Sequence, residues 1–284
     1  MPTETVYGLA ADATNPAALA RLFAIKGRPS NHPLIVHLAD PEDLDRWAPA
    51  ASPHARQLAA AAWPGPLTLI VPRSQELPPE VAGGRDTVGL RVPAHPIARE
   101  LIRLAGTPLA APSANLFGAV SPTTAQHVVD DLGDRLDANL DVILDGGPCP
   151  VGVESTIVDC TTNPVQLLRA GAVTAAQIAD LLGTPAARAS GPSRASGMLA
   201  SHYAPACEVR LVDSPDDAMA LAAGTPGSRT LDFTNDLGRY ARDLYSELRQ
   251  ADVDGVRTLI AVLPPADGIG HAIRDRLTKA AAPR

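Results

Sequence analysis

From residue 184 to residue 206 the chain loses all apolar periodicity, broken by Pro185, Ser190, Gly191, Pro192, Ser193, Ser196, Gly197 and Pro205. A stretch of this composition cannot present a continuous apolar face, so it reads as a linker. It divides the 284 residues into a larger unit over 1–183 and a smaller one over 207–284, each of which must bury a core of its own. Hydrophobic residues make up 45% of the chain and aromatics only 3%, so both cores must be aliphatic.

In the larger unit, Asn15-Pro16 is a helix cap followed by proline at the first helical position. Leu19, Leu22 and Phe23 recur at helical spacing up to Lys26, where Gly27 and Pro29 end the helix. Residues 34–39 form an apolar run of strand length interrupted by His37, and Asp40-Pro41 and Ser52-Pro53 open two more helices. Residues 67–71 and 87–92 read as strands, His95-Pro96 starts a helix, 108–111 returns as a strand, and Ser121-Pro122 caps the next helix. Strands are expected at 142–145, 155–159 and 165–169, followed by a helix capped by Thr174 and ended by Gly183. Thr3 and Glu4 read as the end of a strand. Consecutive strands interspersed with strand–helix alternation predict a mixed, α+β-like α/β domain and not a strict doubly wound sheet. In the smaller unit, strands at 208–212, 228–231 and 257–263 alternate with helices at 216–222, 237–250 and 269–281. That order predicts a small three-layer, Rossmann-like α/β domain.

A formal net charge of −7 argues against a broad basic face for nucleic acid but permits a local cationic pocket. Cys149, Cys160 and Cys207 are odd in number and lack CxxC spacing, so neither a disulfide framework nor a structural zinc is indicated. No apolar run reaches the ~20 residues needed to span a bilayer, and the amino terminus has no signal pattern; a soluble, cytoplasmic protein with no membrane association is expected. There is no P-loop signature, no GxGxxG after a strand, no GxSxG elbow and no HExxH pair among the seven histidines.

What chemistry the chain carries is concentrated in short polar clusters. Lys26 and Arg28 set a point charge and a bidentate fork on one loop, a combination suited to polyphosphate, though such loops also occur as solvated turns. Ser113 and Asn115, two apart after a strand, offer neutral donors on one side or form an ordinary Asx/Ser turn. Arg91 lies in an otherwise apolar strand and needs an anion, which either an internal carboxylate or a ligand can supply. His37, inside an apolar strand, is a satisfied core histidine or a ligand contact. Glu154, Ser155 and Thr156 put polar groups at a strand's start, as a cap or as a ligand surface, and Gly152 would let backbone approach a ligand. Arg169, on the last strand of the unit, can meet a phosphate or a ribose.

Together, the stretches Pro2 to Leu9, Lys26 to Pro29, Leu90 to Pro93, Ala111 to Asn115, Gly152 to Asp159 and Ser201 to Pro205 resemble the YrdC-domain family in its two-domain form, the threonylcarbamoyl-AMP synthases. The resemblance covers nearly the whole chain. It implies a YrdC-type twisted mixed sheet with flanking helices around a concave site, and a reaction that joins L-threonine, bicarbonate and ATP into threonylcarbamoyl-AMP and pyrophosphate. In that reaction Lys26 and Arg28 would be the catalytic phosphate-neutralising pair, with Mg²⁺ on the leaving pyrophosphate. Ser113, Asn115, Arg169, Ser193 and Tyr203 would complete the ATP site, and Thr3, His37, Arg91, Ala111 and Ser155 the threonine site. His202 and Tyr203, in the linker, would act as a lid where composition alone suggests a passive tether. The product would pass to a tRNA threonylcarbamoyl-transferase complex. Family members usually carry a helix and a strand ahead of the first motif, so this chain is expected to begin short.

Three other readings compete. A double-stranded-RNA-binding module would use Lys26, Arg28, Arg56, Arg85 and Arg91 as a patch, weakly given the acidic total charge. A carbamoyltransferase of the hydrogenase-maturation type would need zinc-finger-like and acylphosphatase-like segments that the sequence lacks. A catalytically inert scaffold is at odds with the intact Lys26, Arg28, Ser113 and Asn115.

Overall fold

The computed structural model describes residues 1–190 and 202–283. Along β3 (Leu67–Pro72) the side chains alternate as a pleated strand requires: Leu67, Leu69 and Val71 enter the main core, whereas Ile70 joins a small cluster on the opposite face. This strand sits within an eight-stranded sheet that also contains β1 (Ala11–Asp12), β2 (Ile35–His37), β4 (Thr87–Arg91), β5 (Leu109–Ala110), β6 (Thr156–Asp159), β7 (Gln166–Arg169) and β8 (Ala187–Arg188). Their spatial order is β1-β5-β2-β4-β3-β6-β7-β8. Parallel pairs β2/β4, β3/β6 and β7/β8 are interspersed with antiparallel ones, which is the mixed sheet expected from consecutive strands.

Helices α1 (Pro16–Lys26), α2 (Leu44–Trp47), α3 (Pro53–Ala62) and α6 (Ala175–Leu182) bury Leu19, Leu22, Trp47, Leu58 and Ile178 against the aliphatic face of the sheet. Smaller clusters seat α4 (Pro96–Ala105) beside Leu109 and α5 (Ala125–Leu132) beside Tyr7 and Ala114. The register aligns the polar strand ends: His37 faces Arg91 across β2/β4, Leu67 faces Thr156 across β3/β6, and Ile157 faces Arg169 across β6/β7. The ends of β2, β4 and β7 therefore meet the beginnings of β3 and β6 along one edge, and that edge carries the site.

In the C-terminal part, β9 (Glu208–Val212), β10 (Ser228–Leu231) and β11 (Thr258–Val262) form a parallel sheet in the order β10-β11-β9. α7 (Pro215–Ala223) packs Ala218 against Ile260 and Val262, and α8 (Leu237–Val253) and α9 (Gly270–Ala281) pack against Leu259 and Ala261 on the other face. Three layers result, as the sequence predicts. The second of these cores also takes in Val6, Val120 and Val153 from the larger unit, so the two parts share an apolar interface.

Several expectations change. Thr3 and Glu4 do not end a strand, and residues 4–6 form a bend. Ser121 does not cap a helix, because its hydroxyl donates to Glu154; Thr124 caps α5 instead. Asp40-Pro41 opens only a 3₁₀ turn, Pro41–Asp43, before the single turn of α2. Residues 142–145 form no strand, since no neighbouring backbone pairs with them. Conversely, β1 escapes sequence reading, and β8 puts Ala187 and Arg188 of the expected linker on the edge of the large sheet beside β7.

Candidate active site

The first motif is a turn wound around its own hydroxyls. Thr3 Oγ1 donates to Val6 O at 2.6 Å and accepts from the amides of Thr5 and Val6, both at 3.2 Å. With that proton committed, Thr5 Oγ1 donates to Thr3 Oγ1 at 2.9 Å and accepts from Arg91 Nη1 at 2.9 Å. Gly8 leaves the turn by bridging to Ser113, and a Cβ at Gly8 would lie 3.1 Å from that of Ala111. Close approach of these backbones brings Thr3, Thr5, Ala111 and Ser113 onto one wall of a cavity that is continuous with solvent.

The facing wall comes from the strand ends. Arg91 is buried, with Nη2 2.6 Å from Glu4 Oε1 and Nε donating to Gly65 O at 3.2 Å. The anion that answers Arg91 is thus Glu4, a carboxylate of the same chain, while Arg91 still lines the cavity. Beside it, His37 is held neutral: burial and then the Arg91 charge push its pKa down to about 3. Arg169 donates from Nε to Ser155 O at 2.9 Å and from Nη2 to Ser155 Oγ at 3.1 Å, and Ser155 Oγ meets Thr68 Oγ1 at 2.7 Å. Both Ser155 and Arg169 line the cavity, and burial lowers the Arg169 pKa.

Gly27 adopts the left-handed conformation (φ 62°) that caps α1 and turns the chain so that Arg28 reaches the cavity. Arg28 donates to Pro33 O at 3.0 Å and stacks 5.5 Å from the Phe117 ring centre; burial brings its pKa down to about 10. Lys26 is placed differently from Arg28. Its Nζ donates to Ser113 O at 2.5 Å and Asn115 O at 2.6 Å, behind the wall, and burial depresses its pKa well below the ammonium range. Asn115 also faces away, donating to Leu116 O at 2.9 Å and Ala119 O at 2.8 Å. Lys26 and Asn115 shape the segment that presents Ser113; they do not line the cavity.

The end of the linker returns to the site. His202 and Tyr203 both line the cavity, and Tyr203 takes a left-handed backbone conformation (φ 62°). The Tyr203 ring lies 5.5 Å from that of Tyr245 on α8, with the Arg276 guanidinium of α9 5.4 Å from its centre. Burial pushes Tyr203 up to about 12 and His202 down to about 4, so both are neutral near pH 7. Ser193 lies outside the described residues.

Sequence reasoning offered Glu154 as a strand-end cap or ligand surface and placed it in neither substrate site; it lines the cavity beside Ser155. It accepts from Ser121 Oγ at 2.6 Å, and from Tyr245 OH and Arg276 Nε, each at 2.8 Å. Burial alone would raise its pKa, but Arg276, Arg169 and these hydrogen bonds outweigh it and lower it to about 2. The signal was adjacent, since Glu154 stands inside the motif that contains Ser155. Gly152 serves another purpose than ligand approach: its φ is 80°, and a Cβ there would lie 2.3 Å from Arg242 Cα of α8. The glycine admits helix backbone, not substrate.

The five cations of the RNA-binding reading form no common exposed patch. Lys26, Arg28 and Arg91 are buried, and Arg56 pairs with Asp45. Among the described residues no group of three or more His, Cys, Asp or Glu could hold a metal ion, and no helix is long and apolar enough to cross a membrane.

Residues 1–171 match the Sua5/YciO/YrdC family model, described as telomere recombination, and residues 173–282 match that of the threonylcarbamoyl-AMP synthase C-terminal domain. Over 100% of its length the chain is 39% identical to a threonylcarbamoyl-AMP synthase of Pyrococcus abyssi, covering 90% of it, and 40% identical to one of Bacillus subtilis, covering 89%. The crystal structure of P. abyssi Sua5 complexed with L-threonine aligns with a TM-score of 0.90 at 38% identity, over 99% of this chain and 89% of that one. The chain belongs to the threonylcarbamoyl-AMP synthase family in its two-domain form.

Proposed function

We infer that the protein condenses L-threonine, bicarbonate and ATP into threonylcarbamoyl-AMP, releasing pyrophosphate, and that the product serves threonylcarbamoyladenosine modification of tRNA. The observation that carries this is the meeting of two buried guanidiniums, Arg28 and Arg169, with the hydroxyls of Thr3, Ser113 and Ser155 in one cavity covered by His202 and Tyr203. Burial lowers the pKa of both arginines, so an anion brought between them relieves a desolvation cost and is bound more strongly than at a wet surface. Two fixed cations suit the triphosphate of ATP and the negative charge that grows on pyrophosphate as it departs.

Threonine's amine must first become a carbamate, a species that water decomposes. Thr3, Ala111 and Ser155, with neutral His37, supply a small pocket for the amino acid next to Arg91, and the carbamate oxygen then attacks the α-phosphorus of ATP held at Arg28, Ser113 and Arg169. Tyr203 and His202 exclude water while both substrates are bound. Lys26 and Asn115 act from behind by fixing the Ser113 segment. Mg²⁺ would enter with ATP, as the counter-ion of its phosphates. On this reading residues 1–183 form the catalytic domain, 184–206 a linker that serves as lid, and 207–284 a domain that supports it. The adenylate would be handed to a tRNA-modifying transferase complex.

The test is pyrophosphate release from ATP with threonine and bicarbonate omitted in turn, beside an Arg28→Ala variant. Release that requires both co-substrates and falls by two orders of magnitude or more in the variant is expected, about the loss on removing one transition-state donor. A folded chain that releases none under any combination defeats the reading.

A further inference from the structure

Among the described residues the C-terminal domain places no side chain on the cavity wall, yet it reaches the wall from behind through Arg276 and Tyr245. Arg276 of α9 is fully buried, and its Nε donates to Glu154 Oε2 at 2.8 Å, where Tyr245 of α8 donates as well. Glu154 lines the same cavity as Arg28 and Arg169 and is held ionised. A carboxylate in that position opposes the binding of ATP, because like charges close together in a partly desolvated site repel more strongly than in water. Arg169 and the donors Ser121 and Tyr245 offset part of that charge, and the cation in direct contact with the carboxylate, Arg276, comes from the other domain.

We propose that Arg276 is a positioning residue for the substrate anion, acting through Glu154: the C-terminal domain supplies the charge that keeps this wall receptive to ATP. The inference rests on the synthase reading of the cavity for the identity of the anion. It gives α9 a function beyond packing, and it accounts for a fully buried arginine that divides its guanidinium between Asp275 of its own helix, at 2.6 Å, and Glu154 of the other domain, at 2.8 Å. Replacing Arg276 alone leaves Glu154 as an excess negative charge on the cavity. Replacing both removes the charge and the need for its neutraliser, so the loss is restored, which no packing role predicts.

The experiment compares the full-length wild type with R276Q, E154Q and E154Q/R276Q, using calorimetric titration with MgATP and steady-state pyrophosphate release, with folding followed by near-ultraviolet circular dichroism. R276Q is expected to weaken ATP binding about tenfold or more, equivalent to about 1.4 kcal/mol, and to raise KM more than it lowers kcat. E154Q/R276Q is expected to regain most of that loss and to bind ATP as E154Q does. A folded R276Q with wild-type affinity overturns the proposal, as does a double variant as weak as R276Q. If R276Q does not fold, the comparison of E154Q with E154Q/R276Q decides: equal affinities support action through Glu154, and a further loss in the double variant refutes it. A wild type that binds ATP but releases no pyrophosphate defeats the synthase reading while leaving the titrations a valid test of Arg276.

Discussion

Arg91 and Glu4 face each other with side chains only 4% and 8% exposed, so neither charge has water to fall back on. Removing one leaves the other buried and uncompensated, which costs far more than the pair contributes when whole. R91M is expected to lose about 3–5 kcal/mol in urea-induced unfolding, and E4Q/R91M to recover a substantial part of that; additive losses would mean the two charges are not coupled. Titration adds a second expectation. His37 is lowered to about 3 from an ordinary 6.5, and Glu154 to about 2 from 4.5. In each case the unfolded chain takes up a proton that the folded protein refuses, so the His37 contribution is whole above pH 6.5 and is lost as the pH falls towards 3. The Glu154 contribution is whole above pH 4.5 and is lost towards pH 2. Thermal midpoints measured against pH should decline in acid over both windows. H37Q should flatten the upper one in part, since His202 and His127 are also lowered, each to about 4, and E154Q the lower one. At this scale the sequence carried the need but not the partner. An arginine in an apolar strand announces that it must have an anion, yet Glu4 and a bound carboxylate satisfy that need equally until the chain is folded.

Helix ends were the most legible elements because their signals are local. Asn15 accepts from Ala17 N and Ala18 N and Gly27 closes the same helix, both within a few residues of the sequence they terminate. N15A is expected to cost about 1 kcal/mol of global stability, read as a lower urea midpoint at unchanged slope. The same variant should weaken ATP binding modestly, because α1 carries Lys26 to the carbonyls of Ser113 and Asn115. Strands obey a non-local rule and were read less well. Residues 142–145 have strand composition but no paired edge; Ile143 packs in the cluster around Tyr7, and Asp145 Oδ1 accepts from Gly147 N at 2.9 Å and from Tyr7 OH at 3.3 Å. β1 and β8 are strands by virtue of their neighbours β5 and β7, and two residues leave no periodicity to detect. The site shows the same division. Thr3, Arg28, Ser113 and Arg169 stand out in the sequence and line one cavity, whereas the register that brings Arg91 beside His37, and the burial of Lys26 behind Ser113, belong to tertiary packing.

At the scale of the molecule, the two parts meet through more than the Glu154 pair. Arg249 of α8 donates to both carboxylate oxygens of Asp131, at 2.9 and 2.6 Å, and the Thr123 hydroxyl meets that of Ser246 at 3.1 Å. Gly152 sets how closely α8 can approach. Its neighbours there are the backbone atoms of Ala241 and Arg242, which have no rotamer to yield. A shared apolar core and fixed polar contacts should make the two parts unfold together, so the wild type is expected to show a single transition by both near- and far-ultraviolet circular dichroism. G152V inserts a branched side chain where the backbone is left-handed and the helix already touches, and it has no cheap relaxation except to push α8 away. It is therefore expected to split that transition in two, with the C-terminal part melting on its own. Because displacing α8 moves Tyr245 from Glu154 and from the Tyr203 ring, affinity for ATP should fall at temperatures where the larger domain remains folded. A G152V protein that melts in one step and binds ATP like the wild type would mean that the helix yields at no cost, and that the coupling between domains lies elsewhere in the interface.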